Sequence, residues 1–222
     1  MESRQSHVRE IALELHAHLA KALASRDRAG AVEIALYAVR ERGLPIADLY
    51  LCVLGPILAE IGDAWQHGRE RVWEEHFASA TVRTIVEALY LDVVKEAAQV
   101  PPREQVAVLA CPPDEQHDLG LRMLADRMML VGWEVYFLGA NTPRRDLIDA
   151  ARTVGADLVV LTVATHFNRV ELRTTIEALA EELPGVQVGV GGPAFGRVED
   201  WPEEEILTEA MIGLRPGAGC EG

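Results

Sequence analysis

The first hundred residues show a hydrophobic pattern with the spacing of helices and contain no clear strand. Apolar residues recur every three to four positions in four series, at residues 11–19, 32–39, 49–65 and 72–89. Breaks separate these series near residues 25–30, 42–45 and 67–71. Pro56, inside the third series, either kinks that helix or begins its second part. The pattern therefore predicts four or five antiparallel helices with short links, which is a helical bundle.

After Pro101 and Pro102 the pattern changes to short apolar runs that alternate with helical segments. The helix after the second run is expected to have Asn141 or Thr142 as its N-cap and Pro143 at its first position. A last helix and a short strand near residues 211–213 are also expected. The runs themselves predict strands at residues 106–110, 133–139, 157–164 and 186–192.

Strands that alternate with helices form a parallel sheet that is covered on both faces. We therefore predict an α/β protein with a helical bundle over residues 1–100 and a Rossmann-like (flavodoxin-like) parallel-sheet domain over residues 104–222. Ligands of such sheets bind outside the carboxyl ends of the strands. The loops expected to line that edge begin at Cys111, Gly139, Thr165 and Gly191.

Composition and charge restrict the class of protein. The chain has 222 residues, of which 49% are hydrophobic and 25% charged, a balance typical of globular proteins with a substantial core. The formal net charge of −14 argues against direct binding of nucleic acid, which needs a basic surface. No apolar run reaches the roughly 18 residues of a membrane-spanning helix, and the N-terminus lacks the pattern of a signal peptide.

The cysteines indicate a compartment. Cys52, Cys111 and Cys220 are few and widely spaced, which favours a reducing environment without a disulfide framework. We therefore expect a cytoplasmic protein that does not associate with membranes.

The loop after the first predicted strand, residues 111–120, contains a candidate metal-binding histidine, His117. Glu115 lies two residues earlier and could hydrogen-bond one ring nitrogen, so that the other nitrogen would bind a metal. Gly120 would let the backbone approach a bulky group. The alternative is that His117 only caps the loop, and the loop by itself does not decide between the two.

Three short segments at this edge resemble the fingerprint of the base-off, His-on cobalamin-binding module. The family pattern is Asp-x-His-x-x-Gly, then Ser-x-Leu, then Gly-Gly. Residues 115–120 match the first part with Glu115 in place of Asp, and residues 162–164 keep the hydroxyl of the second part at Thr162 but not its Leu. Gly191 and Gly192 match the third part, and the order and spacing of the three parts resemble the family over residues 105–215.

This resemblance implies roles for the matching residues. His117 would be the lower axial ligand of cobalt and would displace the dimethylbenzimidazole of the cofactor. Thr162 would form a hydrogen bond near the displaced nucleotide tail, and Gly191 and Gly192 would leave room for it. The remaining matched loop residues, which would also contact the cofactor, are Glu115, Asp118 and Gly120.

A second group of candidate residues lies in the helical half. Trp65 is expected near the end of one helix, and Glu75 and His76 in the first turns of the next, so antiparallel packing would bring the three to one end of the bundle. A tryptophan can wall off a flat organic group, and a carboxylate can accept hydrogen bonds from ribose or adenine. Taken alone, the pattern favours a core position for Trp65 and a solvated one for Glu75; the downstream fingerprint reverses that preference.

The spacing Trp65, nine residues, Glu75-His76 resembles a motif of the cobalamin-binding photoreceptors of the CarH type, which have a helical cap of this kind. The resemblance implies that these three residues surround a 5′-deoxyadenosyl group, so that the cofactor is adenosylcobalamin. The function it implies is a light sensor and not an enzyme. Such a sensor holds its cofactor between bundle and sheet domain and changes conformation or assembly when light cleaves the cobalt–carbon bond.

Two features depart from that family. Photoreceptors of this type carry an N-terminal DNA-binding domain, for which the first hundred residues leave no space, so we expect a stand-alone sensor with an output partner protein or a light-dependent homo-oligomer. The family also has a histidine directly after the tryptophan, whereas this chain has Gln66 there and His67 one position later. Because one residue turns a helix by about 100°, either water or His67 would be the upper cobalt ligand after illumination.

Two other functions remain open from the sequence. A corrinoid carrier protein for methyl transfer would share the bundle and the fingerprint, but it has no need of the Trp65, Glu75 and His76 motif because a methyl group needs no adenosyl pocket. A cobalamin store or chaperone is the third reading. The sequence fixes neither the oligomeric state nor the output partner.

Overall fold

The structure, a computed structural model, describes residues 2–195, 201 and 206–214. The chain divides into two compact units, one within residues 1–93 and the other within residues 94–215. The helices that lie wholly or partly in the first unit are α1 (Glu2–Ala24), α2 (Arg28–Arg40), α3 (Ile46–Leu49), α4 (Gly55–Gln66), α5 (Val72–Ala88) and α6 (Tyr90–Ala97). The helical N-terminal part that the sequence predicted is confirmed.

Local sequence explains where these helices begin. Asp27 caps α2, because its carboxylate accepts a 2.9 Å hydrogen bond from the N–H of Gly30. One π-helical turn, Tyr50–Leu54, connects α3 to α4. Pro56 is the second residue of α4, directly after this π-helical turn, so it lies at the start of the second part of the predicted third helix.

The core of the helical unit follows the predicted apolar series only in part. Fully buried residues include Leu19, Leu49, Val53, Val82 and Ile85. In α2, however, the buried side chains are alanines, because close packing of helices admits small residues at the contact. At the other extreme, Trp65 and Val72 were assigned to the apolar series but are 46% and 54% exposed.

The second unit is an α/β layer structure. Its strands are β1 (Val106–Ala110), β2 (Glu134–Gly139), β3 (Leu158–Thr162) and β4 (Gln187–Gly191), and its helices after α6 are α7 (Leu119–Met129), α8 (Arg144–Val154), α9 (Arg169–Glu182) and α10 (Glu209–Ile212). The sheet is parallel throughout, with order β2-β1-β3-β4. One apolar cluster covers each face of the sheet. The predicted Rossmann-like domain is therefore confirmed, and the loops after all four strands lie at one edge.

Two local predictions were wrong. Helix α8 has Pro143 as its N-cap, whereas Asn141 or Thr142 was expected there. The reason is that both side chains are used elsewhere: the Thr142 hydroxyl donates to the carbonyl of Gly139, and the Asn141 side chain accepts from the N–H of Asp114. Residues 209–212 form α10, where a short strand was expected near residues 211–213. The carbonyl of Ile212 accepts from Arg103 and Trp133 in place of a neighbouring strand.

Two further observations concern the compartment and the membrane. Cys52 is disulfide-bonded, which the spacing of the cysteines did not predict, while Cys111 is a buried free thiol. Among the described residues, no helix combines the length and the apolar character that crossing a membrane requires.

Candidate cofactor site

The loops after β1 and β2 are joined by backbone hydrogen bonds. The N–H of Cys111 donates to the carbonyl of Gly139 at 2.8 Å, and the N–H of Thr142 donates back to the carbonyl of Cys111 at 3.0 Å. The N–H of Asn141 donates to the carbonyl of Glu115 at 2.8 Å. These bonds fix the backbone of the loop that carries His117 against the neighbouring strand end.

His117 lies on this loop with its side chain 64% exposed, and the predicted contact with Glu115 is present. Its Nδ1 lies 2.5 Å from Oε1 of Glu115. Because the other neighbours of this carboxylate are all donors, the carboxylate acts as acceptor and Nδ1 carries the donated proton. A metal would therefore be bound through Nε2.

Glu115 is fully buried and is bound from separate segments of the chain. Oε1 also accepts from the N–H of His117 at 2.9 Å. Oε2 accepts from the N–H of Ala164 at 2.8 Å and from the side-chain amide of Asn168 at 2.9 Å. Burial raises the pKa of this carboxyl, but the hydrogen bonds from His117, Asn168 and the two backbone N–H groups outweigh it and lower the pKa to about 2. Glu115 is therefore an ionised, fully hydrogen-bonded support for the His117 ring.

Thr162 ends β3 beside the same loop. Its hydroxyl lies 3.5 Å from the thiol of Cys111, and that thiol also lies 3.7 Å from the carbonyl of His117. Burial raises the pKa of the Cys111 thiol to about 11, so the thiol stays protonated at neutral pH. Cys111 thus connects the histidine loop to the residue that matches the hydroxyl position of the fingerprint.

Glycine is present at the three fingerprint positions for different structural reasons. A Cβ added at Gly120 or Gly191 would have no atom within 4 Å, so both positions border open space. Gly192 has a φ of +108°, and a Cβ there would lie 2.4 Å from the carbonyl oxygen of Val163. Gly191 therefore fits the expected role of leaving room for a ligand, whereas Gly192 is required by the close approach of two backbone segments.

Asp118, the remaining predicted residue of the loop, occupies the N-cap position of α7. Its carbonyl accepts from the N–H of Arg122 at 2.8 Å. It therefore helps to begin the helix that follows the histidine loop.

The predicted residues of the helical unit lie around the connection from α4 to α5. Glu75 accepts from Nδ1 of His76 at 2.5 Å and from the hydroxyl of Ser79 at 2.6 Å. His76 is 74% and Glu75 24% exposed. Trp65, in the last turn of α4, is 46% exposed, so the alternative of a core position is excluded for it.

His67 forms the C-cap of α4 and is 64% exposed. Its Nδ1 donates to the carbonyl of Asp63 at 2.8 Å, and the Asp63 carboxylate lies 3.2 Å away. A metal would therefore reach this imidazole through Nε2.

Two residues near Glu115 were missed by sequence reasoning. Asn168 is separated from Glu115 by 53 positions, and no local motif connects them. Cys111 was noted only as the start of the loop after the first strand, yet its thiol contacts both Thr162 and the His117 loop. Their position in the chain could have indicated a role in the site, because both residues follow strands whose carboxyl ends lie at one edge of the sheet.

The residues at this edge fit a cobalt corrinoid. A corrinoid supplies the equatorial nitrogens of its cobalt and leaves an axial position that an imidazole could fill, and His117 is an exposed imidazole with a fixed Nδ1. The open space beside Gly191 and the part-buried hydroxyl of Thr162 fit the nucleotide tail of such a cofactor.

Comparisons with known proteins indicate the class of cofactor. Residues 105–213 match a family model described as B12 binding domain, and residues 15–90 match a second model with the same description. The chain is 34% identical over 152 residues to the HTH-type transcriptional repressor CarH of Myxococcus xanthus, covering 68% of this chain and 49% of that protein. It is 32% identical over 78 residues to dimethylamine corrinoid protein 3 of Methanosarcina mazei, covering 34% of this chain and 47% of that protein.

The chain therefore spans about half the length of the curated relatives that it matches. Among solved structures, the monomethylamine corrinoid protein of Methanosarcina barkeri has the same fold, with a TM-score of 0.73, 18% identity and 91% of each chain covered. Residues 15–90 and 105–213 are thus two consecutive B12 binding domains, and the cofactor that these domains indicate is a cobalamin.

Proposed function

We propose that this protein is a light sensor that binds adenosylcobalamin, with His117 as the lower axial ligand of cobalt and with Trp65, Glu75 and His76 against the adenosyl group. The similarity to the repressor CarH supports a sensor. So does the spacing of Trp65, Glu75 and His76, which resembles that of the cobalamin photoreceptors.

The observation that carries this proposal is the exposure of Trp65. An indole that is 46% exposed at the end of α4 does not serve the core of its own bundle. Val72 and Trp73, on the other side of the α4–α5 connection, are also 54% and 46% exposed. Exposed apolar groups at one connection favour a ligand with a flat apolar surface, which an adenosyl group offers and a methyl group does not.

The bound cofactor would supply a cobalt–carbon bond that light cleaves. The residues of this chain have simpler tasks: His117 holds the lower face, Glu115 fixes the His117 ring, and Trp65 keeps water from the upper face. Glu75 would accept hydrogen bonds from the adenosyl group through a carboxylate that Ser79 and His76 already orient. The signal would pass to a partner protein or to a second copy of this chain.

Hydrogen exchange tests this proposal. The amides of residues 60–80 in protein loaded with adenosylcobalamin are expected to exchange slowly in the dark and faster after green light, because loss of the adenosyl group removes their contacts. Protein loaded with hydroxocobalamin is the control and should show no light-dependent change. Equal exchange in dark and light for the adenosyl form would contradict the proposal.

A corrinoid carrier for methyl transfer is the second candidate. The fold shared with the monomethylamine corrinoid protein and the match to dimethylamine corrinoid protein 3 favour it. The presence of Gln66 where the photoreceptors have histidine agrees with it as well. Binding of adenosylcobalamin and methylcobalamin, measured by absorbance titration, separates the two functions. A sensor should prefer the adenosyl form by about 10-fold, as expected for one additional well-packed aromatic contact, whereas a carrier should prefer the methyl form.

A further inference from the structure

Two apolar side chains beside the His117 cluster are unusually exposed. Phe167, in the 3₁₀ turn His166–Asn168, is 93% exposed, and Val170, in the first turn of α9, is 76% exposed. Large apolar side chains that are exposed together at a ligand edge usually mark a contact surface.

This turn is held in place and is attached to the histidine cluster. The side-chain amide of Asn168 donates to Oε2 of Glu115 at 2.9 Å, and Oε1 of the same carboxylate accepts from Nδ1 of His117 at 2.5 Å. The N–H of Asn168 also donates to the carbonyl of Thr165 at 3.3 Å. Phe167 is thus adjacent in sequence to a residue that is two hydrogen bonds away from the imidazole.

Another face of this segment is already occupied. Arg169 and Arg173, four positions apart, lie on one face of α9, and their guanidinium groups stack on the ring of Trp201 at 5.4 and 4.7 Å. Position 170 is turned by about 100° from position 169 on a helix. Val170 therefore belongs to a different face from the one that packs on Trp201, and this agrees with its exposure.

We propose that Phe167 and Val170 form an apolar platform for the corrin ring of a cobalamin bound through His117. The inference rests on the proposed binding of cobalamin. A corrin macrocycle is much wider than an imidazole, so a cobalamin bound through His117 would contact side chains next to the His117 cluster. The ring is rich in methyl and methylene groups, and burying a phenylalanine against them is favourable because both surfaces leave water.

Binding of two ligands by the full chain tests the platform. Phe167→Ala is expected to weaken adenosylcobalamin by about 5- to 20-fold, the effect of losing the burial of most of an aromatic side chain, and Val170→Ala by about 2- to 5-fold. Cobinamide, which lacks the nucleotide tail, should lose affinity by the same factors because it retains the corrin ring. The unfolding temperature of the ligand-free protein should not change, since both side chains are exposed without ligand.

Leu91→Ala is the matched control, because Leu91 is 77% exposed on α6 and has no part in the platform. The proposal is overturned if Phe167→Ala leaves cobinamide binding unchanged, since the side chain would then act on the tail. It is also overturned if the variant changes the elution volume of the ligand-free protein on size exclusion, since Phe167 would then pack against another protein chain. Failure of the unmodified protein to bind either corrinoid would refute the proposed function itself.

Discussion

The two groups of candidate residues differ in what holds them. Glu115 in the sheet unit is buried and accepts hydrogen bonds from His117, Ala164 and Asn168, which come from loops after two different strands. Glu75 in the helical unit is bound by the next residue and by Ser79, one helical turn away. The first arrangement depends on the assembled sheet, whereas the second needs only a helix.

This difference indicates which of the two groups of candidate residues is held in place without a cofactor. A carboxylate with four donors cannot move without losing several charge-assisted hydrogen bonds, so the His117 ring is preorganised. Trp65 and His76 are exposed and have rotamer freedom to lose on binding. Under the proposed function, we therefore expect the His117 loop to provide most of the affinity and the Trp65 group to provide selectivity among upper ligands.

Removal of His117 should have the largest effect. His117→Ala deletes the proposed axial ligand, and the affinity for cobalamin should fall by more than the roughly 100-fold upper limit for loss of a supporting partner. His18→Ala is the control, because this histidine is 61% exposed on α1 and has no proposed role in the site. Absorbance titration measures the cobalamin affinity of both variants. Similar affinities would mean that His117 does not bind the cobalt.

Glu115→Gln tests the support of the ring. The neutral amide cannot accept all four hydrogen bonds, so cobalamin affinity should fall by about 10- to 100-fold. The absorbance of the bound cofactor should also show less of the His-on form. An affinity equal to that of the unmodified protein would mean that the imidazole is oriented without its carboxylate.

The same carboxyl gives the ligand-free protein a pH dependence. Folding lowers the pKa of Glu115 from 4.5 to about 2, so its contribution is fully present above pH 4.5 and is lost as the pH falls toward 2. The contribution to the unfolding free energy is at most about 3 kcal/mol, because solvent screening reduces it. Urea unfolding between pH 7 and pH 3 should show a smaller loss of stability for Glu115→Gln than for the unmodified protein. Parallel curves would contradict the buried ionised state.

Trp65→Ala tests the upper group. Affinity for adenosylcobalamin should fall by about 10-fold because an aromatic wall is lost, while affinity for methylcobalamin should stay within 2-fold. Tyr37→Ala, at a site 57% exposed on α2, is the control and should change neither. An equal loss for both cofactors would assign Trp65 to the corrin and not to the adenosyl group.

The smallest effects are expected for a matched pair of side-chain truncations, one in each group of candidate residues. Asn168→Ala removes a long-range donor from Glu115, and Ser79→Ala removes a local donor from Glu75. We expect a 3- to 10-fold loss of cobalamin affinity for the first, roughly the effect of one hydrogen bond to a charged buried group. The second should change affinity by less than about 2-fold, because the Glu75 carboxylate is part-exposed and can be hydrated. Competition titration resolves the two, and the reverse order would contradict the proposed preorganisation.

Sequence reasoning was most successful where a structure depends on residues close together in the chain. The strands, the parallel sheet and the contact between His117 and Glu115 followed from short apolar runs and from a two-residue spacing. Asn168 could not be found in this way, because only the finished sheet brings it to Glu115. The hydrophobic pattern alone favoured a core position for Trp65, since its spacing on α4 equals that of buried residues such as Ile57, and only the downstream fingerprint argued for its exposure.

The central claim, that light changes this protein through its cobalamin, is tested most directly by size exclusion of protein loaded with adenosylcobalamin, kept in the dark or exposed to green light. Absorbance recorded on the same column verifies that the cobalt–carbon bond has been cleaved. The account predicts that light shifts the elution volume of the unmodified protein together with the absorbance. Trp65→Ala should elute at the same volume in the dark and after illumination. A complete change in absorbance with identical elution in dark and light would contradict the sensor and favour the methyl carrier.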